Sequence, residues 1–460
     1  MNLNTNDPRF RAESDSQTIQ NAVDEAERTG LGTVVIPRRN ERTGENIWII
    51  DKTIWLPSDT TVILDGAHLQ LADDVRENVF RNSDLKRESG RCFETEQHDI
   101  RILGVGNAII DGGKSNGLCE QLGRDDPEHF PHMSVNLLIY LNNVRDFEIR
   151  GIRFIASRWW AVCCMFCRWG RIADLDFRMF GTIENQDGVD LRVGCEYITI
   201  ENITGCTGDD TVALTGLPAN RRFEMRDRVE GKSVDIHDIT IRNIISSTHG
   251  CSLVRLLCAD GCSEYNLTIS GLKDTGMSIS GSAMLVGAAG RFWKIAPHTM
   301  ENFHDIIIRD VFTNSQRGIS FSEPMKNVLV ENVTTWGCNE VGLQFNDNFA
   351  CENMTIRNFT YGADPEHADC VFNVSDAPEV SISDLEVEHV RANAAKYVFR
   401  RRELPVEDFR YAEPTEEYFS PEKPRLGSSY GRYHSLFYGK LIENRPPDNR
   451  YDGTSIHEVR

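Results

Sequence analysis

The sequence predicts an all-β fold: a single-stranded right-handed parallel β-helix with an N-terminal capping α-helix and an irregular C-terminal segment. Three observations lead there. A short β-branched pattern recurs along most of the chain, at intervals of about one coil and with no helical periodicity between the copies. One amphipathic helix precedes the copies. The pattern stops near residue 400.

The first element is the helix, placed at about residues 15–30. Ile19, Ala22, Val23 and Ala26 give the 3- and 4-residue spacing of one buried face, and Gly30 or Gly32 stops it. Thr33-Val34-Val35-Ile36-Pro37 then reads as a strand, followed by short strands at Ile47 to Ile50 and Thr61 to Leu64. A helix at this place covers the first coil, which otherwise exposes a free sheet edge.

The repeat follows. Its copies include Phe147-Glu148-Ile149-Arg150-Gly151-Ile152, Ile198-Thr199-Ile200-Glu201-Asn202-Ile203, Ile239-Thr240-Ile241-Arg242-Asn243-Ile244 and Val328-Leu329-Val330-Glu331-Asn332-Val333. A degenerate copy runs Ile172 to Phe177. The small or polar marker falls at 151, 176, 202, 243, 271, 310, 332, 358 and 384, so six of the eight intervals lie between 22 and 28 residues. The two longer intervals hold loop insertions. Strands at this interval without intervening helices mean stacked coils about 4.8 Å apart. Gly, Asn and Asp at the marker suit a left-handed bend. The β-helix is expected over residues 1–400. Residues 401–460 carry six Pro and six of the 11 Tyr. An aromatic-rich segment is not typical of disorder, so an extension packed on the helix or on a neighbouring subunit of a homo-oligomer is expected.

Composition narrows the function. The chain has 460 residues and a net charge of −20, which disfavours nucleic acid and anionic membrane surfaces as partners. No apolar run is long enough to span a membrane. The start shows no basic n-region or apolar h-region, so a cytoplasmic location is expected. The 13 cysteines then read as reduced and buried, Cys164-x-x-Cys167 and Cys258-x-x-x-Cys262 included. No cofactor or metal is called for.

Chemistry concentrates in two acidic signatures and a histidine: Asn185-Gln186-Asp187-Gly188-Val189-Asp190, Gly208-Asp209-Asp210-Thr211 and Thr248-His249-Gly250. Asp187 and Asp210 lie 23 residues apart, one coil. Asp210 and His249 lie 39 apart, a coil plus an insertion. Val189 and Leu191 match Val212 and Leu214, then Cys251 and Leu253, as inward pairs. Asp187, Asp210 and His249 are therefore expected at equivalent places on three coils, with Asp209 displaced by one. Each motif alone is common turn chemistry. Together, close carboxylates push at least one pKa upward and leave a protonated acid beside ionised ones, as glycoside hydrolysis requires.

These motifs resemble, in order, the Asn-Thr-Asp, Asp-Asp and Gly-His-Gly motifs of glycoside hydrolase family 28, the polygalacturonase family of the pectin lyase-like β-helix superfamily. Gly32 to Pro37 and Asn107 to Gly113 look similar to that superfamily as well, and the resemblance spans roughly residues 15–390. It implies Asp209 as general acid, Asp187 and Asp210 as the groups that hold and deprotonate water with inversion, and His249 as support for the acid or the sugar. Asp190 matches a second, structural Asp. The chain departs from the family where an Arg-Ile-Lys grips the galacturonate carboxylate, since no such tripeptide is present. Thr248 replaces a glycine.

Further substrate contacts are expected from Arg255, from Arg221 and Arg222 in a basic insertion, and from Trp159 and Trp160 if either ring is exposed to stack on a sugar. Core packing is the competing reading for both tryptophans. The leading expectation is an inverting, exo-acting hydrolase of pectin- or plant-derived oligosaccharides. The alternatives are a polysaccharide lyase on uronic-acid oligomers and a non-catalytic carbohydrate-binding β-helix.

Overall fold

A computed structural model describes residues 2–402 apart from 74, 76, 87–94, 114–136, 180–184, 218–228, 260, 289–295, 376, 378, 379, 383 and 394. The expected C-terminal extension falls, from residue 403 on, outside the described residues.

The helix spans Asp15–Thr29. Ser14 Oγ accepts the Gln17 N–H at 3.3 Å and caps the N-terminus. Gly30, at φ 67°, ends the helix in the left-handed region. Ile19, Ala22, Val23 and Ala26 have no exposed surface, as their spacing predicts. Gln20 clamps the helix to the next strands by accepting the Trp55 N–H at 2.8 Å and donating to the Trp55 carbonyl at 3.2 Å. The three predicted early strands appear at Thr33–Pro37, Trp48–Ile50 and Thr60–Asp65.

The chain divides into two compact units. Among the described residues, the first holds 2–179, 185–204 and 229–235, and the second holds 205–217 and 236–402. In the first unit one sheet pairs Leu3–Asn4, Thr33–Pro37, Thr60–Asp65, Gln97–Asp111, Val144–Ile155 and Arg168–Arg178, each parallel to the next. Its other sheet pairs Ile54–Leu56, Phe80–Asn82, Ile139–Asn142, Val162–Met165 and Val189–Arg192.

The second unit repeats this wiring. Ile236–Thr248, Glu264–Asp274, Phe303–Thr313, Met325–Thr335 and Ala350–Tyr361 form one parallel sheet. Val212–Gly216, Ser252–Cys258, Ser282–Val286, Arg317–Phe321, Val341–Phe345 and Cys370–Ser375 form the other. Successive strands alternate between two sheets, and each pairs with the strand two places on. That is the wiring of a parallel β-helix, right-handed as parallel crossovers are.

The repeat explains the core. Ile241, Ile269, Ile308, Val330 and Ile356 are register partners on successive coils and are fully buried. Burying each contributes roughly 1.5–3 kcal/mol. The marker residues explain the bends. Gly151, Asn202, Asn243, Gly271, Asp310, Asn332 and Asn358 all have φ between 54° and 73°. Asn and Asp reach this region because their short polar side chains bond locally. Asn332 Nδ2 donates to Asp310 Oδ1 at 3.0 Å, and Asn358 Nδ2 to Asn332 Oδ1 at 3.2 Å. In the degenerate copy the bend sits at Asp174, φ 56°, rather than at the expected Asp176.

Candidate active site

The second unit gathers Asp209, Asp210, His249 and Arg255. The strand ending at Thr207 turns a corner before Val212–Gly216. Thr207 Oγ1 closes the corner by donating to the Asp209 carbonyl at 2.6 Å. Asp209 Oδ1 accepts the Asp210 N–H at 2.9 Å. Asp210 Oδ1 accepts the Ser252 N–H from the next coil at 2.7 Å, and the Thr211 N–H donates to the Ser252 carbonyl at 3.0 Å. Both carboxylates are nearly enclosed, Asp209 4% and Asp210 5% exposed.

Burial, then the adjacent Asp209 carboxylate, pushes Asp210 up to about 7. Arg255 and the Ser252 hydrogen bonds pull the other way. The two acids thus keep one proton between them near neutrality. Arg255 is buried, its Nη2 donating to the Gly287 carbonyl at 3.1 Å. It is a fixed positive charge close enough to act on Asp210.

The register corrects one expectation. Val212 pairs with Val254 and Leu214 with Leu256, three residues beyond the expected Cys251 and Leu253. Ser252 therefore stands opposite Asp210, and His249 lies before that position. The cause is the corner at Thr248. Thr248 Oγ1 accepts the Cys251 N–H at 3.0 Å, and Gly250 takes φ 87°, so a turn delays the strand. The threonine in place of glycine is the residue that caps this turn. His249 is buried, with Ser278 Oγ 3.0 Å from Nδ1 and Cys206 Sγ 3.5 Å from Nε2.

Asp187 belongs to the first unit and is buried; its carbonyl accepts the Ala161 N–H at 3.0 Å. The turn before it is held by Asn185 at φ 58° and by Gln186 Nε2 donating to the Ser157 carbonyl at 2.6 Å. Asp190 lies on Val189–Arg192 opposite Cys163.

Trp159 and Trp160 are corrected. They are 0% and 5% exposed and pack with Leu137, Tyr140, Met165 and Phe166. With the rings enclosed, their packing does not fit the sugar-stacking role expected of an exposed one. Arg221 and Arg222 lie outside the described residues.

The eleven described cysteines are free thiols. Burial raises Cys164 and Cys195 well above the usual thiol value, which keeps them inert.

Two groups escaped the sequence reading. Ser252 has no motif, and only strand register reveals it. Glu264 is fully buried, and burial pushes its carboxyl well above the usual range. Its Oε1 accepts the Leu257 N–H at 3.2 Å and the Gly216 N–H at 3.4 Å. A lone Glu opening a repeat strand was its only signal.

Fold and site together define a parallel β-helix protein with a buried carboxylate pair beside a buried arginine. No family model and no curated protein matches the chain. Solved structures do. An exopolygalacturonase from Thermotoga maritima is similar at 14% identity over 85% of this chain and 92% of its own, TM-score 0.49. The family 28 exopolygalacturonase of Yersinia enterocolitica is similar at 14% identity over 84% and 78%, TM-score 0.41. The A-module of the Azotobacter vinelandii mannuronan C-5 epimerase AlgE4 is similar at 12% identity over 88% and 100%, TM-score 0.48.

Proposed function

We propose that this protein is a glycoside hydrolase that cleaves pectin- or other plant-derived oligosaccharides from a chain end, with inversion. The observation that carries the reading is the buried Asp209–Asp210 pair, which keeps one proton near neutral pH. The resemblance assigns the acid role to Asp209 and the base role to Asp210. Asp209 gives its proton to the leaving oxygen as the glycosidic C–O bond breaks. Water forms the new bond to the anomeric carbon and passes a proton to Asp210. The pair ends with one proton, as it began, and a single transfer between neighbours restores the starting state. The sequence motif assigns Asp187 to holding the water and His249 to supporting the acid or the sugar.

The test is hydrolysis of a panel of aryl-glycosides and uronic-acid oligosaccharides, with the product anomer read by NMR. Asp209→Asn is expected to lower turnover by about 10²–10⁴-fold, the scale of general-acid catalysis, while the fold stays intact. Unsaturated products would establish a lyase instead. Binding without any product would establish a carbohydrate-binding protein.

The free described thiols support a reducing compartment, and we place the protein in the cytoplasm; cell fractionation checks it. Homo-oligomerisation through residues 401–460 belongs to the same proposal, and light scattering of the full chain against one truncated at 402 checks that.

A further inference from the structure

A single peptide group joins Arg255 to a second buried carboxylate. In the second unit Ser252–Cys258, Ser282–Val286 and Arg317–Phe321 are neighbours in one parallel sheet, with Leu256, Val286 and Phe321 in register. Arg255 Nη2 donates to the Gly287 carbonyl at 3.1 Å. The N–H of the same peptide, on Ala288, donates to Glu323 Oε1 at 3.1 Å. The Gly287–Ala288 peptide thus lies between a guanidinium on one coil and a carboxylate two coils on. Its oxygen faces the cation and its N–H faces the anion, so the two hydrogen bonds polarise one another.

This peptide is held where it would not otherwise rest. Gly287 has φ 84° and Ala288 φ 67°. Alanine enters that region only against a steric penalty, so its surroundings must hold it there. Glu323 supplies the hold: a Cβ on Gly287 would collide with Glu323 Cγ, so the glutamate stem lies directly against the glycine. Glu323 is fixed in turn. The neighbouring Ser322 N–H donates to the Val286 carbonyl at 2.9 Å. Glu323 Oε2 lies 2.9 Å from His298 Nδ1, and both side chains are 3% exposed. His298 Nε2 lies 2.7 Å from the Cys258 carbonyl, on the strand that carries Arg255. A carbonyl only accepts, so Nε2 carries a proton while Nδ1 faces the carboxylate.

The guanidinium that this brace holds acts on the candidate active site. Asp209 and Arg255 both act on the charge of Asp210. Glu264 also feels Arg255, but burial pushes its carboxyl well up, so it does not neutralise the guanidinium. We propose that Glu323 and His298 are positioning residues: through the Gly287–Ala288 peptide they fix the Arg255 guanidinium where its charge bears on Asp210. The proposal rests on the hydrolase reading for the reaction whose pH dependence it sets.

The experiment separates position from charge at residue 323. Glu323→Gln removes the charge and keeps the geometry: the amide oxygen accepts the Ala288 N–H, and the amide nitrogen donates to His298 Nδ1 while Nε2 keeps its proton. Glu323→Asp keeps the charge and withdraws the carboxylate from Ala288 by one methylene. Two readouts are taken across pH. One is the alkaline limb of the pH–rate profile. The other needs no sugar: the pH at which the stability gained by Asp210→Asn levels off in urea unfolding, measured in each background. Glu323→Asp is expected to raise both by about 0.5–1 pH unit, since a displaced Arg255 favours the ionised Asp210 less. Glu323→Gln should leave both at the wild-type position. His298→Ala, which frees Glu323 Oε2, is the second variant should Glu323→Asp not fold, and it should also raise both.

A fall in both readouts for Glu323→Gln, with Glu323→Asp at the wild-type position, overturns the proposal, because Glu323 then acts only as a distant negative charge. Wild-type positions in all three variants overturn it as well, and so do equal shifts in Glu323→Gln and Glu323→Asp. A shifted stability window in Glu323→Asp with no hydrolysis of any sugar keeps the positioning role and removes the hydrolase reading. Hydrolysis with neither readout moved in Glu323→Asp or His298→Ala does the reverse.

Discussion

Replacing Asp210 by Asn should make the protein more stable at neutral pH while removing its activity. Asp210 is buried beside Asp209, and its pKa stands at about 7 against an ordinary 3.8. A group with a raised folded-state pKa contributes its full stability below the unfolded value. That stability is lost as pH rises toward the folded value, because the unfolded chain ionises freely while the folded site resists. The window here runs from about pH 4 to about pH 7. A rise of this size corresponds to roughly 4 kcal/mol at its upper limit. Arg255 opposes it: its charge favours the ionised Asp210, and loss of that attraction offsets part of the gain. Asn keeps an oxygen for the Ser252 N–H, so the corner hydrogen bond survives. Urea unfolding of wild type and variant across this range is the assay. The variant's advantage should be small at pH 4, grow with pH and level off above 7. A constant difference, or one that shrinks as pH rises, refutes the argument that burial holds a proton on the pair.

Other outcomes follow from the same geometry. Wild-type hydrolysis should fall as pH rises through about 7, because the pair then loses the proton that it donates; a pH–rate profile checks this, and a rise in rate above pH 7 contradicts it. Prolonged treatment with a chelator should leave hydrolysis unchanged, measured as released reducing ends. Asn332→Ala should cost about 1–2 kcal/mol for the left-handed backbone, together with the ladder bonds to Asp310 and Asn358. Asn332→Gly should recover the backbone part, as read by thermal unfolding. Gly170→Ala should cost about 1–3 kcal/mol by overpacking, since its Cβ would lie 2.1 Å from the Phe147 ring; a melt equal to wild type would mean the ring has room to move.

Much of this molecule was legible in one dimension because a β-helix is nearly a one-dimensional fold. Each coil touches its neighbours, so a local pattern repeated at coil spacing states both the strands and their stacking. Isoleucine and valine positions gave the core, and Asn, Asp and Gly markers gave the bends, because a left-handed φ is a local demand on a single residue. The capping helix was readable for the same reason: face, cap and stop all lie within 17 residues, Ser14 to Gly30.

The site was legible only as far as residue identity went. Asp209 and Asp210 announced themselves by composition. Their proton did not, since it depends on burial, on Arg255 and on Ser252, which come from other coils. Counting residues put His249 opposite Asp210, but the Thr248 cap and the Gly250 bend lengthen that corner and bring Ser252 there. Trp159 and Trp160 made the same point. An aromatic pair reads alike in sequence whether it faces water or a core, and only packing sent these two inward while leaving Phe312 and Trp336 in the open. The sequence by itself determined the repeat, its inward face and the acidic pair, because those are set by neighbours along the chain. The tertiary structure decided register across corners, burial and therefore charge state, because those are set by neighbours one coil away.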